Sequence, residues 1–261
     1  MQDITNFLNY VNTTCWQDST SFDKLEQIAQ QVFFDITKNK TKQKKLYRLG
    51  GQTGSGKTTQ LLFAVENYLN IKKLNPVVIG VRTCSKYHPQ YEQIKASFDK
   101  SLLREKTNGF ALKCLGVVLK KLIENNYLIV LDLTFLDIPF EQFLLNMLTK
   151  NNYDIEYHIM AVNKQISNNF VNKRYLQTGR VIYKQSATYF NKVINKGLKY
   201  ITLNDNKSNC YVWSVFSLLP VFNGAVCNCF KSYLKHKKII MPLTYTEHQL
   251  KYAKLFFLLF N

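Results

Sequence analysis

The chain has 261 residues, 46% of them apolar, and its 35 basic against 17 acidic side chains give a formal net charge of +18. That length and apolar content suffice for one substantial core, which excludes a disordered chain and makes one main domain the default. The charge invites a polyanionic partner, but Lys, Asn, Ile, Tyr and Phe are abundant throughout, as A/T-rich codons would make them, so composition bias is the favoured explanation.

Met1–Tyr10 carries Asp3 and no basic cluster ahead of an apolar run, so it does not read as a secretory signal. Asp23–Lys38 reads as an amphipathic helix opened by the capping pair Asp23-x-x-Glu26, with Leu25, Ile28, Ala29, Val32, Phe33 and Ile36 at helical spacing. The lysine run Lys38–Lys45 that follows is expected on a solvated loop, as is Lys231–Lys238. Leu46–Leu49 is predicted as a short strand and Thr58–Asn70 as a helix, with Leu61, Leu62, Ala64, Val65 and Leu69 on its apolar face.

Between that strand and helix, Gly51-Gln-Thr-Gly-Ser-Gly56-Lys57-Thr58 fits the phosphate-binding pattern G-x-x-x-x-G-K-[ST] in the setting the pattern requires. Glycines let the backbone curl until successive N–H groups face one anion, and the helix that follows points its positive end at the phosphates. Gly51, Gln52, Thr53, Gly54, Ser55, Gly56, Lys57, Thr58 and Thr59 are the candidate residues for binding ATP. Lys57 would reach the β- and γ-phosphates, and the Thr58 hydroxyl would face Mg²⁺.

Further along, Pro76–Val81 is predicted as a buried strand and Tyr91–Leu102 and Asn108–Asn125 as helices. Tyr127–Leu131 is a continuous apolar run ending at Asp132, the form of a buried parallel strand that delivers a carboxylate at its carboxyl end. A helix at Phe140–Leu148, a strand at Tyr157–Val162 and helices over Ser167–Leu176 and Tyr183–Asn195 follow. The turn-rich Asn204–Asn209 suggests a β-hairpin joining Tyr200–Leu203 to Cys210–Val215, and Leu250–Phe260 a docked terminal helix. Cys210–Cys227 has the length of a short membrane span, but Pro220, Asn223 and Gly224 break it.

Strands alternating with helices give an α/β fold with a mainly parallel sheet covered on both faces, like that of P-loop kinases. Residues 1–45 form a helical segment with a basic linker, 46–205 the core, and 206–261 a C-terminal extension of hairpin strand plus helix. A nucleotide loop places the protein in the cytoplasm, where Cys15, Cys84, Cys114, Cys210, Cys227 and Cys229 are expected as reduced thiols. Cys227-Asn-Cys229 lacks the spacing of a zinc site.

Several segments in order resemble the zeta toxin family of bacterial kinases over about residues 20–215. Gly50-Gly51-Gln52 resembles the opening of that family's phosphate loop, and His88-Pro89-Gln90-Tyr91 its His-Pro-x-aromatic element. Asp132-Leu133-Thr134 stands where the family has Glu-Gly-Thr. Met160–Lys164 resembles the strand before its arginine helix, and Lys173-Arg174-Tyr175 the Glu-Arg-Tyr on that helix. Thr178-Gly179-Arg180 with Lys184-Gln185 resembles the next arginine motif.

The resemblance implies transfer of phosphate from ATP, with Mg²⁺, to the 3′-hydroxyl of the amino sugar in UDP-N-acetylglucosamine, and a small helical antitoxin that occludes the nucleotide site. A loose transition state needs cations around the equatorial phosphate oxygens, and Arg174 and Arg180 are the candidates. Asp132 is the candidate for either proton acceptor or Mg²⁺ anchor beside Thr58, and with Lys57 it completes the catalytic set. Three departures stand out: Gly80-Val81-Arg82 replaces the family's Asp-x-Asp with its base, Asp132 is one methylene shorter than the family's glutamate, and Leu136 replaces an arginine. They leave two alternatives: a nucleotide-binding relative without transfer, and a P-loop kinase acting on nucleic-acid 5′-hydroxyls, for which the charge would be an asset.

Overall fold

The computed structural model describes residues 2–13, 18–96, 100–134, 138–178, 195–205, 207–214, 220 and 222–237. Its strands are β1 (Lys45–Gly51), β2 (Val77–Ile79), β3 (Ile129–Asp132), β4 (Asp154–Met160), β5 (Asn209–Trp213) and β6 (Phe222–Ala225). They form one sheet in the order β2-β3-β1-β4-β5-β6, parallel at every pairing except β5 with β6. The helices are α1 (Gln2–Thr13), α2 (Phe22–Thr37), α3 (Leu62–Ile71), α4 (Val81–Ser85), α5 (Tyr91–Ala96), α6 (Lys100–Glu124), α7 (Ile138–Lys150), α8 (Lys164–Thr178), α9 over 195–204, and α10 (Cys229–Lys237).

Alternation along each strand divides the core in two. Tyr47, Leu49, Leu128, Val130 and Met160 point to the face where α3 packs with Val65 and Leu69. Leu46, Ile129, Leu131, Ile155, Tyr157 and Ile159 point to the opposite face, under α1, α2, α6 and α7. Period-two alternation therefore puts Asp132, in step with Leu128 and Val130, on the α3 face, and Arg48, in step with Leu46, on the other.

The hairpin expected between Tyr200–Leu203 and Cys210–Val215 does not form. Residues 195–204 are helical, burying Leu198 and Ile201, and the hairpin partner of β5 is β6. β5 pairs in parallel with β4, which a tight turn cannot achieve, so a helical crossover precedes it. Asp205 Oδ1 accepts hydrogen bonds from the Lys207 and Ser208 N–H groups, both at 3.1 Å, and redirects the chain into β5.

Other boundaries shift. The predicted helix at Tyr91–Leu102 is two pieces, α5 ending at Ala96 and α6 beginning at Lys100, and α6 runs through Asn108-Gly109. Thr107 Oγ1 donates to the Leu103 carbonyl at 2.5 Å and Asn108 is buried, so tertiary packing carries the helix across an expected boundary. The capping pair at Asp23 is not used: Ser21 is the N-cap of α2, without a side-chain bond. Lys38–Lys44 is solvated as expected, whereas Lys231 and Lys235 lie on α10. Cys210 and Cys229, expected as thiols, are joined as a disulfide between β5 and α10, while Cys84 and Cys114 are free and buried. Among the described residues no helix is long and apolar enough to cross a membrane. Of the predicted helix Tyr183–Asn195 only Asn195, which is helical, is described; the terminal helix Leu250–Phe260 lies outside the described residues.

Helix α1 reaches the core through Phe7, whose ring stacks on Phe143 at 4.7 Å and meets Phe140 edge-on at 5.4 Å. A Cβ at Gly116 of α6 would lie 2.3 Å from the Phe7 ring, which these neighbours pin in place. Gly116→Ala should therefore destabilise the protein by about 1–3 kcal/mol, the usual cost of overpacking. Thermal unfolding checks this, and an unchanged midpoint would mean that α1 is not seated on α6 as described.

Candidate active site

The phosphate loop leaves the end of β1 and is held on three sides. From just past β3, Thr134 Oγ1 donates to the Gly51 carbonyl at 3.0 Å. From the loop itself, the buried Gln52 sends Nε2 to the Val162 carbonyl just past β4, at 2.9 Å. From α8, Ser167 Oγ donates to the Thr53 carbonyl. Asn163 Oδ1 accepts the Gln165 N–H at 2.8 Å and orients the first turn of α8.

Gly54 takes φ +78°, and a Cβ there would stand 2.4 Å from the Ser167 carbonyl oxygen. Only glycine satisfies both the left-handed turn and the close approach of α8. Gly56, at φ +84°, then opens the helix, whose start differs from the prediction. Lys57–Leu61 is a π-helical turn, closed by the Leu62 N–H to the Lys57 carbonyl, before α3 proper.

Asp132 sits at the carboxyl end of β3, opposite Leu49 of β1, on the α3 face. The Lys57 ammonium donates to its Oδ1, and Thr58 Oγ1 donates to its Oδ2 at 3.2 Å. The pair is mostly shielded, with side chains 13% and 20% exposed for Lys57 and Asp132. Burial pulls the Lys57 ammonium below the ordinary lysine range; the Asp132 carboxylate opposes this, and the guanidinium groups of Arg48 and Arg82 add to it. An Asp carboxylate beside a threonine hydroxyl at a loop built for phosphates is an oxygen set suited to Mg²⁺, which takes one or two protein oxygens and leaves the rest to phosphates and water. Among the described residues no group of three or more His, Cys, Asp or Glu forms a metal cluster.

Thr59, at the edge of the set, turns its hydroxyl back to the Gly56 carbonyl at 3.4 Å. Arg174 falls on α8, but its side chain is not among those described, and Arg180 lies outside the described residues, so neither is placed against the loop. Gly80 follows β2 as the N-cap of α4 and lies against β3: a Cβ there would be 2.4 Å from the Asp132 carbonyl oxygen. Arg82, two residues on in α4, is exposed and lies near enough to Lys57 to act on its charge. His88 is turned inward, its ring edge-on to Phe110 at 5.1 Å and its Nδ1 accepting the Gln90 N–H, and burial lowers its pKa.

Sequence reading passed over Arg48. This guanidinium in β1 is fully buried, donates to the carbonyls of Leu133 and Thr134, and pairs with Glu141 of α7 at 2.8 Å. A basic residue inside the apolar run Leu46-Tyr-Arg-Leu49 was the available signal, since a strand buried on both faces holds a charge only with a partner.

The sequence model of the zeta toxin family matches residues 30–205. No curated protein matches the chain by sequence. Among solved structures, one described as the PezAT chromosomal toxin–antitoxin system of Streptococcus pneumoniae is similar with a TM-score of 0.68 at 16% identity, over 93% of this chain and 98% of that one. The native complex of AvrRxo1-ORF1 with AvrRxo1-ORF2 is similar with a TM-score of 0.55 at 11% identity, over 82% and 70% of the two chains. The same pair with sulphate ions gives 0.57 at 12% identity, over 85% and 73%.

The contact of Gly54 with α8 makes a direct test. Gly54→Ala forces a side chain into a left-handed turn and against the Ser167 carbonyl, a strain of about 1–3 kcal/mol that falls on the loop itself. ATP affinity, measured by displacement of a fluorescent analogue, should drop by about 5- to 140-fold, the strain expressed as a ratio at 1.4 kcal/mol per decade. Wild-type affinity in the folded variant would mean that the loop is not the nucleotide site.

Proposed function

Because this chain belongs to the zeta toxin family, a family of P-loop, ATP-dependent phosphotransferases, we propose that it transfers the γ-phosphoryl group of ATP to a hydroxyl of a sugar nucleotide of the UDP-N-acetylglucosamine type. One observation carries the reading: Lys57 and Thr58 of the phosphate loop converge on Asp132 at the carboxyl end of β3. In open α/β sheets ligands bind outside the carboxyl ends of the strands, and this is where the cation, the hydroxyl and the carboxylate meet.

In the proposed reaction the loop N–H groups hold the β- and γ-phosphates and Lys57 exchanges part of its contact with Asp132 for phosphate oxygens. Mg²⁺, when bound, would neutralise charge developing on the phosphate oxygens, with Thr58 and Asp132 as its protein side. The acceptor hydroxyl oxygen bonds to the γ-phosphorus as the bond to the bridging oxygen breaks, ADP leaves, and the hydroxyl proton passes to a carboxylate or to water. Both Asp132 oxygens are engaged by Lys57 and Thr58, which favours the anchoring role over that of base. Transfer through a loose transition state rests mainly on positioning and electrostatics, so a chain without a dedicated base keeps that part and forgoes roughly 10²–10⁴ in rate. Arg174 and Arg180 are proposed as the cations over the transferred group.

A cytoplasmic site of action and a small helical antitoxin covering the nucleotide site belong to the same proposal. The similarity to one structure described as a toxin–antitoxin system supports the second. The alternative, a nucleotide-binding relative that does not transfer, draws on Gly80 and Arg82, which put a glycine and a cation where the family carries carboxylates.

A transfer assay with γ-labelled ATP, Mg²⁺ and UDP-N-acetylglucosamine, beside a 5′-hydroxyl oligonucleotide, separates these readings. Label is expected on the sugar nucleotide, falling by about 10²–10³ in Lys57→Ala, as for loss of one transition-state charge contact. Label on the oligonucleotide would replace the acceptor. Tight ATP binding with neither product labelled would leave the nucleotide-binding reading.

A further inference from the structure

Beneath the site, on the face of the sheet away from α3, Arg48 makes contacts that the proposed chemistry does not use. Its Nη1 donates to the Leu133 carbonyl and, at 3.4 Å, to that of Leu49; its Nη2 reaches the Thr134 carbonyl at 3.3 Å and Glu141 Oε1 at 2.8 Å. Both partners of the ion pair are essentially out of solvent, with side chains 0% and 1% exposed. A charge pair this dry is costly and is often replaceable by apolar residues without loss of stability, so stability alone is a poor reason for it.

The carbonyls it takes are the informative part. β3 ends at Asp132, and beyond that point the ladder with β1, whose last pair is Leu49 with Asp132, no longer supplies donors. Buried carbonyls must find a donor elsewhere, and Arg48 provides one for each of the next two residues. The same stretch is tied to the loop, since Thr134 Oγ1 donates to the Gly51 carbonyl at 3.0 Å. The backbone that carries Asp132 is thus fixed from below by Arg48, which α7 holds through Glu141, and from the side by the phosphate loop.

We propose that Arg48, oriented by Glu141, is a positioning residue for Asp132: by clamping the carbonyls of Leu133 and Thr134 it keeps the carboxylate turned toward Lys57 and Thr58, where it can serve the Mg²⁺·ATP site. This rests on the reading of Asp132 as the anchor of that site, but not on the identity of the acceptor.

The test reads nucleotide binding with and without Mg²⁺, by displacement of a fluorescent ATP analogue, alongside thermal unfolding. The variants are Asp132→Asn, the paired Arg48→Met with Glu141→Leu, and all three changes together. The paired variant removes both buried charges at once and so leaves neither stranded. It is expected to unfold cooperatively and to bind metal-free ATP like the wild type, but to lose about 10- to 100-fold of the affinity gained with Mg²⁺, as when a residue behind a metal ligand is removed. Asp132→Asn should lose a similar factor, and the triple variant no more than either, because the two act through one carboxylate.

Several outcomes overturn the proposal: a paired variant with the full Mg²⁺ gain, equal losses with and without the metal, losses that multiply in the triple variant, or a wild type indifferent to Asp132→Asn. If the paired variant does not fold, Arg48→Lys gives the answer. It keeps a cation opposite Glu141 but cannot fork to two carbonyls and a carboxylate, so the same loss is expected and a wild-type Mg²⁺ response overturns the proposal. A wild type that binds Mg²⁺·ATP and transfers nothing would remove the sugar acceptor and leave this inference standing.

Discussion

At the carboxyl edge of the sheet the Lys57 ammonium and the Asp132 carboxylate are paired in a site that excludes most water. Burial works against the ammonium, the carboxylate works for it, and losing either would strand the other. An incoming polyphosphate would change the balance by bringing negative charge of its own to a helix amino terminus. The Thr134 and Ser167 hydroxyls donate to loop carbonyls and the Gln52 side chain donates to the Val162 carbonyl past β4, so together they fix the curl that holds Lys57 and Thr58 opposite the carboxylate. What looks like local packing is the support of one electrostatic exchange.

Much of this was legible because the rules involved are local. Glycine spacing announced the loop, and an apolar run ending in Asp132 announced a buried parallel strand with a carboxylate at its end. Period-two alternation then put that carboxylate on the same face as the loop helix. The illegible parts depend on partners far away in the chain. Arg48 is 93 residues from Glu141, and nothing in Leu46-Tyr-Arg-Leu49 says which acid lies beneath it. Tyr200–Leu203 reads equally well as a strand, and only the burial of Leu198 and Ile201 against the far face decides for helix. Asn108-Gly109 carries the composition of a helix boundary, but packing of α6 against α1, α2 and α4 overrides it.

Three basic side chains are paired with acids inside the fold or along its strands. Arg48 is buried against Glu141, and Lys113 is buried against Asp18, with the Asp18 carbonyl at 2.7 Å from its Nζ. Lys45 is paired with Glu156 on the strand that leads to the loop. Each of these pairs takes one acid with one base, so the whole excess of positive charge stays on the rest of the chain.

The departures from the family pattern fit together when placed on the sheet. At position 80 the close approach of the Asp132 carbonyl leaves no room for a side chain, so an acid there would require β2 and β3 to separate. At position 82 an exposed arginine acts on the charge of Lys57 in place of a carboxylate. The aspartate at 132, shorter than glutamate by about 1.5 Å, keeps its oxygens on Lys57 and Thr58. The changes at 80 and 82 replace acids with a glycine and a cation, whereas the change at 132 keeps a carboxylate and holds it on the loop residues Lys57 and Thr58.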